Sequence, residues 1–198
     1  MRKAAKLHVR SDMLSRRTFL AASAASLATP AIVQAQGFRL DPIYVPQSVR
    51  VSPTLQAQQI IIAPQAHFLY FVEAPGQARR YGVGVGKAGL EFQGTATIQV
   101  KKEWPTWRPT NEMIEREPQT YAKFKDNDYV QPGGPGNPLG ARALYLFQNG
   151  RDTFYRIHGT TQPSSIGRSV SNGCIRMIND HVIDLYQRVP TGTKVTVL

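Results

Sequence analysis

The stretch ARALYLFQNGRDTFYRIHGT, residues 141–160, holds two runs rich in aromatic and aliphatic side chains on either side of Asn149-Gly150. An Asn-Gly pair between two such runs favours the tight turn of a β-hairpin. The segment therefore predicts two antiparallel strands, the second ending at His158. Upstream, VQPGGPGNPLG (130–140) can form only loop, and a loop of that length without turns of its own is often functional. Before it, RPTNEMIEREP predicts a short helix, with Pro109, Thr110 and Asn111 as start signals and Pro118 as the stop. In GTATIQVKKEW, Thr95, Thr97 and Gln99 alternate with Ala96, Ile98 and Val100, the pattern of a half-buried strand. QIIIAP and HFLYFVEAPGQARRYGVGVG add further strands, with a hairpin across Ala74-Pro75-Gly76. Downstream, NDHVIDLYQRVPTGTKVTVL predicts a helix capped by Asn179 and then a closing strand. Val182, Leu185, Tyr186 and Val189 share one face of that helix. The fold class is mainly β with a few short helices, built from mostly antiparallel strands.

The chain has 198 residues, 41% hydrophobic and 19% charged. That fits one globular domain. No window approaches the roughly 18 apolar residues of a membrane span. Residues 1–35 differ from the rest. A basic segment holding SRRTFL (15–20) precedes the small, apolar run AASAASLATPAIVQA. This is the layout of an export signal, and the paired Arg16 and Arg17 resemble a bacterial twin-arginine signal. Cleavage is expected after Ala35, with a periplasmic mature chain and no stable membrane insertion. Residues 36–57, which include LDPIYVPQSVRVSP, are proline-rich and predict an extended arm with little regular structure. Residues 58–198 form the expected domain. The signal carries six Lys/Arg and Asp12. Its removal leaves 18 basic and 12 acidic residues, lowering the formal charge from +11 to +6. That charge suits an anionic envelope polymer. No basic cluster interleaved with aromatics points to nucleic acid.

Two motifs lead nowhere. GVGKAG (84–89) matches G-x-G-x-x-G, but a dinucleotide site needs that turn to open a helix, and a strand pattern follows. A hairpin, or the edge of a substrate groove, explains these glycines better. A structural metal site is not expected either. Beyond residue 35 the chain offers one cysteine and three histidines, and structural zinc takes about four such ligands at short spacing. His67 falls in a strand pattern and His181 in the exposed first turn of a helix. No cofactor is expected.

The single cysteine, Cys174, lies in SVSNGCIRM (169–177), 16 residues after His158. A lone cysteine in an exported chain cannot form an internal disulfide. The intervening TQPSSIGRSVS is polar and turn-rich, so the two residues can meet in space. A thiol needs a base or a positive field beside it to act as a nucleophile at neutral pH. Gly173 lets the backbone approach a reacting carbonyl, where the N–H groups of Asn172, Gly173 and Cys174 are candidate oxyanion donors. Arg176 suits a substrate carboxylate or a structural ion pair. On spacing alone, a Cys174–His158 acyl-transfer site and a buried inert cysteine are equally open.

The pattern HGT, a spacer containing IG, then SNGCIRM resembles the L,D-transpeptidase family of the YkuD type, at His158, Gly159, Thr160, Gly167, Ser171, Gly173, Cys174, Ile175 and Arg176. The likeness extends through GVGVGKAG, WPTWRPT, GGPGNPLGARALYL and GTKVTVL, covering residues 58–198. The resemblance implies a cysteine acyltransferase acting on peptidoglycan tetrapeptide stems. Cys174 would be the nucleophile and His158 the base, its ring oriented by a carbonyl near Gly159. The backbone of 172–174 would form the oxyanion hole. Ser171, Arg176, Gly159 and Thr160 would shape the substrate pocket. D-alanine would leave and an amine would attack the thioester, either a second stem or the lysine of an envelope protein. Water as acceptor would make the enzyme an L,D-carboxypeptidase or an amidase, and a vestigial site would leave a wall-binding protein. Many family members carry histidine where this chain has Asn172.

Overall fold

The computed structural model describes residues 38–198. The proposed signal and its cleavage position lie outside the described residues. In chain order the strands are β1 (Gln47–Arg50), β2 (Ile60–Ala63), β3 (Phe68–Ala74), β4 (Gln77–Gly82), β5 (Val85–Gly86) and β6 (Gly94–Glu103). They continue with β7 (Arg142–Gln148), β8 (Arg151–His158), β9 (Ser169–Ser171), β10 (Ile175–Arg176) and β11 (Lys194–Val197). The helices are α1 (Asn111–Arg116) and α2 (Asn179–Arg188), with short 3-10 turns between elements. Among the described residues, nine strands form one sheet in the order β1-β4-β3-β2-β11-β6-β7-β8-β10, and β5 pairs with β9 apart from it. The long hairpins β3–β4, β6–β7 and β7–β8 are antiparallel. Only β2–β11 and β8–β10 within the large sheet are parallel.

The sequence pattern explains these elements. Asn149 and Gly150 both take positive φ, 52° and 73°, at the β7–β8 turn. This is the conformation that Asn-Gly accepts at low cost. Gly76 does the same at the β3–β4 turn, with φ 81°. In β6 the alternation buries Ala96 and Ile98 and exposes Thr95 and Gln99. Thr110 caps α1 by accepting a hydrogen bond from the Met113 N–H at 3.3 Å. The core joins Ile60, Ile62, Leu69, Ile98, Leu144, Leu146 and Ile157 of the sheet to Val182 and Leu185 of α2. Helix α2 packs over β7 and β8. Each large aliphatic side chain fully buried here contributes roughly 1.5–3 kcal/mol.

Several expectations need correction. The proline-rich arm is extended but not irregular, because β1 within it pairs antiparallel with β4, Gln47 opposite Arg80. The prolines set its limits without preventing pairing, since β1 is an edge strand. Tyr44 anchors the same arm on two glycines, leaving no room for a Cβ at Gly82 or Gly167. His67 is not in a strand. It closes a 3-10 turn in the left-handed region, and its Nε2 lies 3.1 Å from Ser169 Oγ. His181 is half-buried rather than exposed. Asn179 is the first residue of α2 and not its cap. Ile178 occupies the cap position and makes no side-chain capping bond.

Gly167 combines a φ of +78° with the Tyr44 ring 2.5 Å from where a Cβ would stand. We expect Gly167→Ala to lower stability by about 2–4 kcal/mol in urea titration. A change below about 0.5 kcal/mol would contradict this packing.

Candidate active site

The sheet places β8, which ends at His158, beside β10, which begins just after Cys174. The parallel pairing of β10 with β8 places Ile175 opposite Ile157 and Arg176 opposite His158. Cys174 is the residue just before β10, so its loop lies along the end of β8. An antiparallel bridge between Gly84 and Arg176 backs the pair, with N···O distances of 2.9 and 2.8 Å. Gly86 completes the support. A Cβ there would stand 3.0 Å from Gly173 Cα. The glycines of GVGKAG therefore serve close backbone packing behind the cysteine loop, and β6, not a helix, is the next regular element after β5.

The cysteine loop is tied by one hydroxyl. Ser171 Oγ donates to Cys174 O at 2.6 Å and accepts from the Gly173 N–H at 3.1 Å. Ser171 is 1% exposed, so its hydroxyl shapes the turn from behind. Of the three candidate oxyanion donors, the Gly173 N–H is thus already engaged. Gly173 has φ 118°, and a Cβ there would stand 2.5 Å from both Leu90 O and the Tyr155 ring. Only glycine fits that position.

His158 is buried, and its Nδ1 lies 2.5 Å from Gly159 O. A carbonyl can only accept, so Nδ1 carries the proton and Nε2 holds the lone pair. Burial pushes the His158 pKa down to about 4. The guanidinium charges of Arg176 and Arg156 add to this, and the Gly159 carbonyl opposes it. Cys174 is half-buried, with Sγ 3.8 Å from Phe154 O. Burial raises its thiol pKa, against the backbone of Arg156 and the guanidinium groups of Arg156 and Arg176. Both shifts favour the uncharged pair, a thiol and a neutral imidazole.

Arg176 NH1 donates to Gln162 Oε1 at 3.1 Å and forms no ion pair among the described residues. Arg156, by contrast, is bound by both carboxylate oxygens of Asp152 at 2.7 Å and lies over the Tyr145 ring. Of these two guanidinium groups, only that of Arg176 lacks a carboxylate partner among the described residues. Gly159 and Thr160 stand in a clamp whose centre was not foreseen as such. Asn179 Oδ1 accepts from the N–H groups of Ala141 and Thr160 at 3.1 and 3.2 Å. A Cβ on either Gly140 or Gly159 would collide with that oxygen. Thr160 Oγ1 accepts from the Gln162 N–H at 3.0 Å, which fixes the start of the loop toward Cys174. The Asn172 side-chain amide donates to Tyr121 Oη at 2.9 Å and accepts from Arg116 at 3.2 Å. Arg116, Tyr121 and Asn179 carry no motif of their own in the sequence. Asn179 was legible only as a polar residue at a helix start.

This is a glycine-lined cysteine loop set beside a neutral, carbonyl-oriented histidine at a sheet edge, an arrangement suited to acyl transfer. Residues 57–197 match the L,D-transpeptidase catalytic domain (YkuD), and the chain belongs to that family. It is 34% identical over 157 residues to the Probable L,D-transpeptidase ErfK/SrfK of Escherichia coli K12, covering 78% of this chain and 48% of that protein. It is 32% identical over 153 residues to the Probable L,D-transpeptidase YbiS of the same organism, covering 76% and 47%. The chain thus spans about half the length of the curated relatives it matches. Among solved structures, a Brucella melitensis chain described as a probable carnitine operon oxidoreductase is 57% identical, with TM-score 0.54, covering 80% of this chain and 96% of that one. An L,D-transpeptidase from Mycobacterium smegmatis shares the fold at 20% identity and TM-score 0.51, covering 71% and 58%.

Two outcomes test this geometry. The His158 pKa in the folded chain lies below its value of 6.5 in the unfolded chain. The neutral ring's contribution is therefore present above pH 6.5 and lost as pH falls toward about 4. We expect that acid loss to reach about 3 kcal/mol and to shrink in His158→Gln, followed by urea titration at each pH. Asn179→Ala leaves two N–H groups without their acceptor. It should cost about 2–4 kcal/mol, measured the same way.

Proposed function

We propose that the protein is an L,D-transpeptidase that acts on peptidoglycan tetrapeptide stems through a thioester on Cys174. The reading rests on family membership. The observation that carries it is His158, held neutral with Nδ1–H on Gly159 O, on the strand beside the single thiol. The Nε2 lone pair accepts the thiol proton as Sγ attacks the carbonyl joining the third stem residue to D-alanine. The resulting oxyanion is met by backbone N–H groups of the 172–174 turn, with those of Asn172 and Cys174 not engaged by Ser171. Collapse expels the D-alanine amine, which takes the proton from the imidazolium. An acceptor amine then attacks the thioester and restores the thiol. Because the resting pair is neutral, proton transfer accompanies attack instead of preceding it. Arg176 is assigned to a substrate carboxylate. Ser171, Gly159 and Thr160 act by holding the turn and the histidine in place.

The acceptor is a second stem or an envelope-protein lysine, and the mature chain begins after an export signal ending near Ala35. The periplasm is the compartment where donor and acceptors meet. The oxidoreductase description of the Brucella melitensis relative is not carried over, since the glycine motif here leads into a turn and β6 and offers no helix N-terminus to a dinucleotide.

The test is mass spectrometry of the protein incubated with disaccharide-tetrapeptide. The expected result is a stem adduct on Cys174, free D-alanine and a cross-linked dimer. Cys174→Ala should lower D-alanine release by at least about 10³-fold and His158→Gln by about 10²–10⁴-fold. A tripeptide without dimer would assign a carboxypeptidase. Release at the wild-type rate from Cys174→Ala would overturn the cysteine mechanism.

A further inference from the structure

Strand β8 is interrupted beside the thiol. Its register with β7 jumps from Arg156 opposite Tyr145 to Asp152 opposite Phe147. Thr153, Phe154 and Tyr155 therefore face the single residue Leu146. Side chains within the bulge lock it. Thr153 Oγ1 donates to Leu146 O at 2.6 Å, Phe154 N–H donates to Asp152 Oδ1 at 2.9 Å, and Tyr155 N–H donates to Thr153 Oγ1 at 3.2 Å. Asp152 is itself fixed by Arg156. At the centre stands Phe154 with φ 62°, a conformation that is strained for a bulky aromatic residue.

The bulge has two results. The Phe154 carbonyl points at Cys174 Sγ, 3.8 Å away. Phe154 is left 68% exposed. Among the described residues it pairs with no other aromatic ring, and its one cation contact is Arg156 at 5.9 Å from the centroid. The hydrogen bonds of the bulge offset the backbone strain, but among the described residues no aromatic partner covers the ring. Glycine or asparagine would make the same turn more cheaply.

We propose that Phe154 is a substrate contact. Its ring packs on the apolar part of the acyl-donor chain lying over Cys174, and the bulge exists to hold the ring there. This rests on the reading of the protein as a cysteine acyltransferase for peptidoglycan stems. The ring belongs to the same residue whose carbonyl lies 3.8 Å from the thiol, so a donor placed for attack covers it and removes its apolar surface from water.

The experiment measures two quantities on the full chain. The first is KM and kcat for D-alanine release from disaccharide-tetrapeptide by wild type, Phe154→Ala and Phe154→Gly. The second is the Kd of the same compound for Cys174→Ala with and without Phe154→Ala, which needs no turnover. We expect both Phe154 variants to raise KM, and the added substitution to raise Kd, by roughly tenfold. Alkylation of Cys174 by iodoacetamide should stay within about twofold, since a small electrophile needs no ring contact. Phe154→Gly, freed of strain, should melt no lower than wild type, which separates loss of contact from loss of fold. Unchanged KM and Kd would overturn the proposal, as would no binding to Cys174→Ala. So would alkylation slowed as much as turnover, because the bulge would then act on the thiol and not on the substrate. A wild type that binds the stem but releases no D-alanine would defeat the transpeptidase reading. The Kd comparison would still decide the role of Phe154.

Discussion

Two residues of parallel pairing, Ile175 with Ile157 and Arg176 with His158, carry the whole arrangement. So short a ladder is weak by itself, and parallel pairing is no stronger per residue than antiparallel. It holds because the segments around it are fixed independently. Asn179 ties the end of β8 to the start of β7 from one side. Ser171 closes the cysteine turn from the other. The Gly84 bridge and the Gly86–Gly173 contact prevent the turn from sliding. Each support needs a short distance, and four of the positions involved are glycine for that reason. The glycines at 84, 86, 159 and 173 are the steric condition for laying the Cys174 loop along the end of β8.

The electrostatics follow from the same packing. A buried histidine between two arginines resists protonation, and a half-buried thiol resists ionisation. One arginine is neutralised by Asp152 and the other is not. The site therefore rests uncharged except for a guanidinium suited to an anion. A thiol kept protonated reacts slowly with oxidants, because the thiolate is the reactive form.

Much of this was legible in the sequence. Asn149-Gly150 and Pro75-Gly76 announced their hairpins because turns with positive φ accept few residue types. The burial alternation of β6 was visible for the same local reason. Cys174, His158 and Arg176 stood out as the reactive residue types at a distinctive spacing. What stayed hidden depends on contacts between distant segments. Asn179 reads as a helix cap, yet its amide oxygen is drawn to two N–H groups about 20 and 40 residues away in sequence. The arm reads as irregular because prolines depress strand propensity, and nothing local reveals that β4 offers it an open edge. Phe154 reads as one more apolar residue in a strand. Its exposure follows from a bulge set by Asp152 and Thr153, whose polar side chains carry no bulge signal of their own.

The edges of the large sheet carry a consequence for the behaviour of the protein in concentrated solution. An unpaired strand edge is a template for another chain. Here one edge is β1, four residues long, bounded by Pro46 and Pro53 and bearing Arg50. The other is β10, only two residues long and already bridged to Gly84. Both edge strands are short, and the part of β8 that β10 leaves unpaired is broken by its bulge, so little regular free backbone is left on which a second molecule could extend the sheet. The strand that lets the arm dock and the strand that follows Cys174 thus also limit edge-to-edge aggregation.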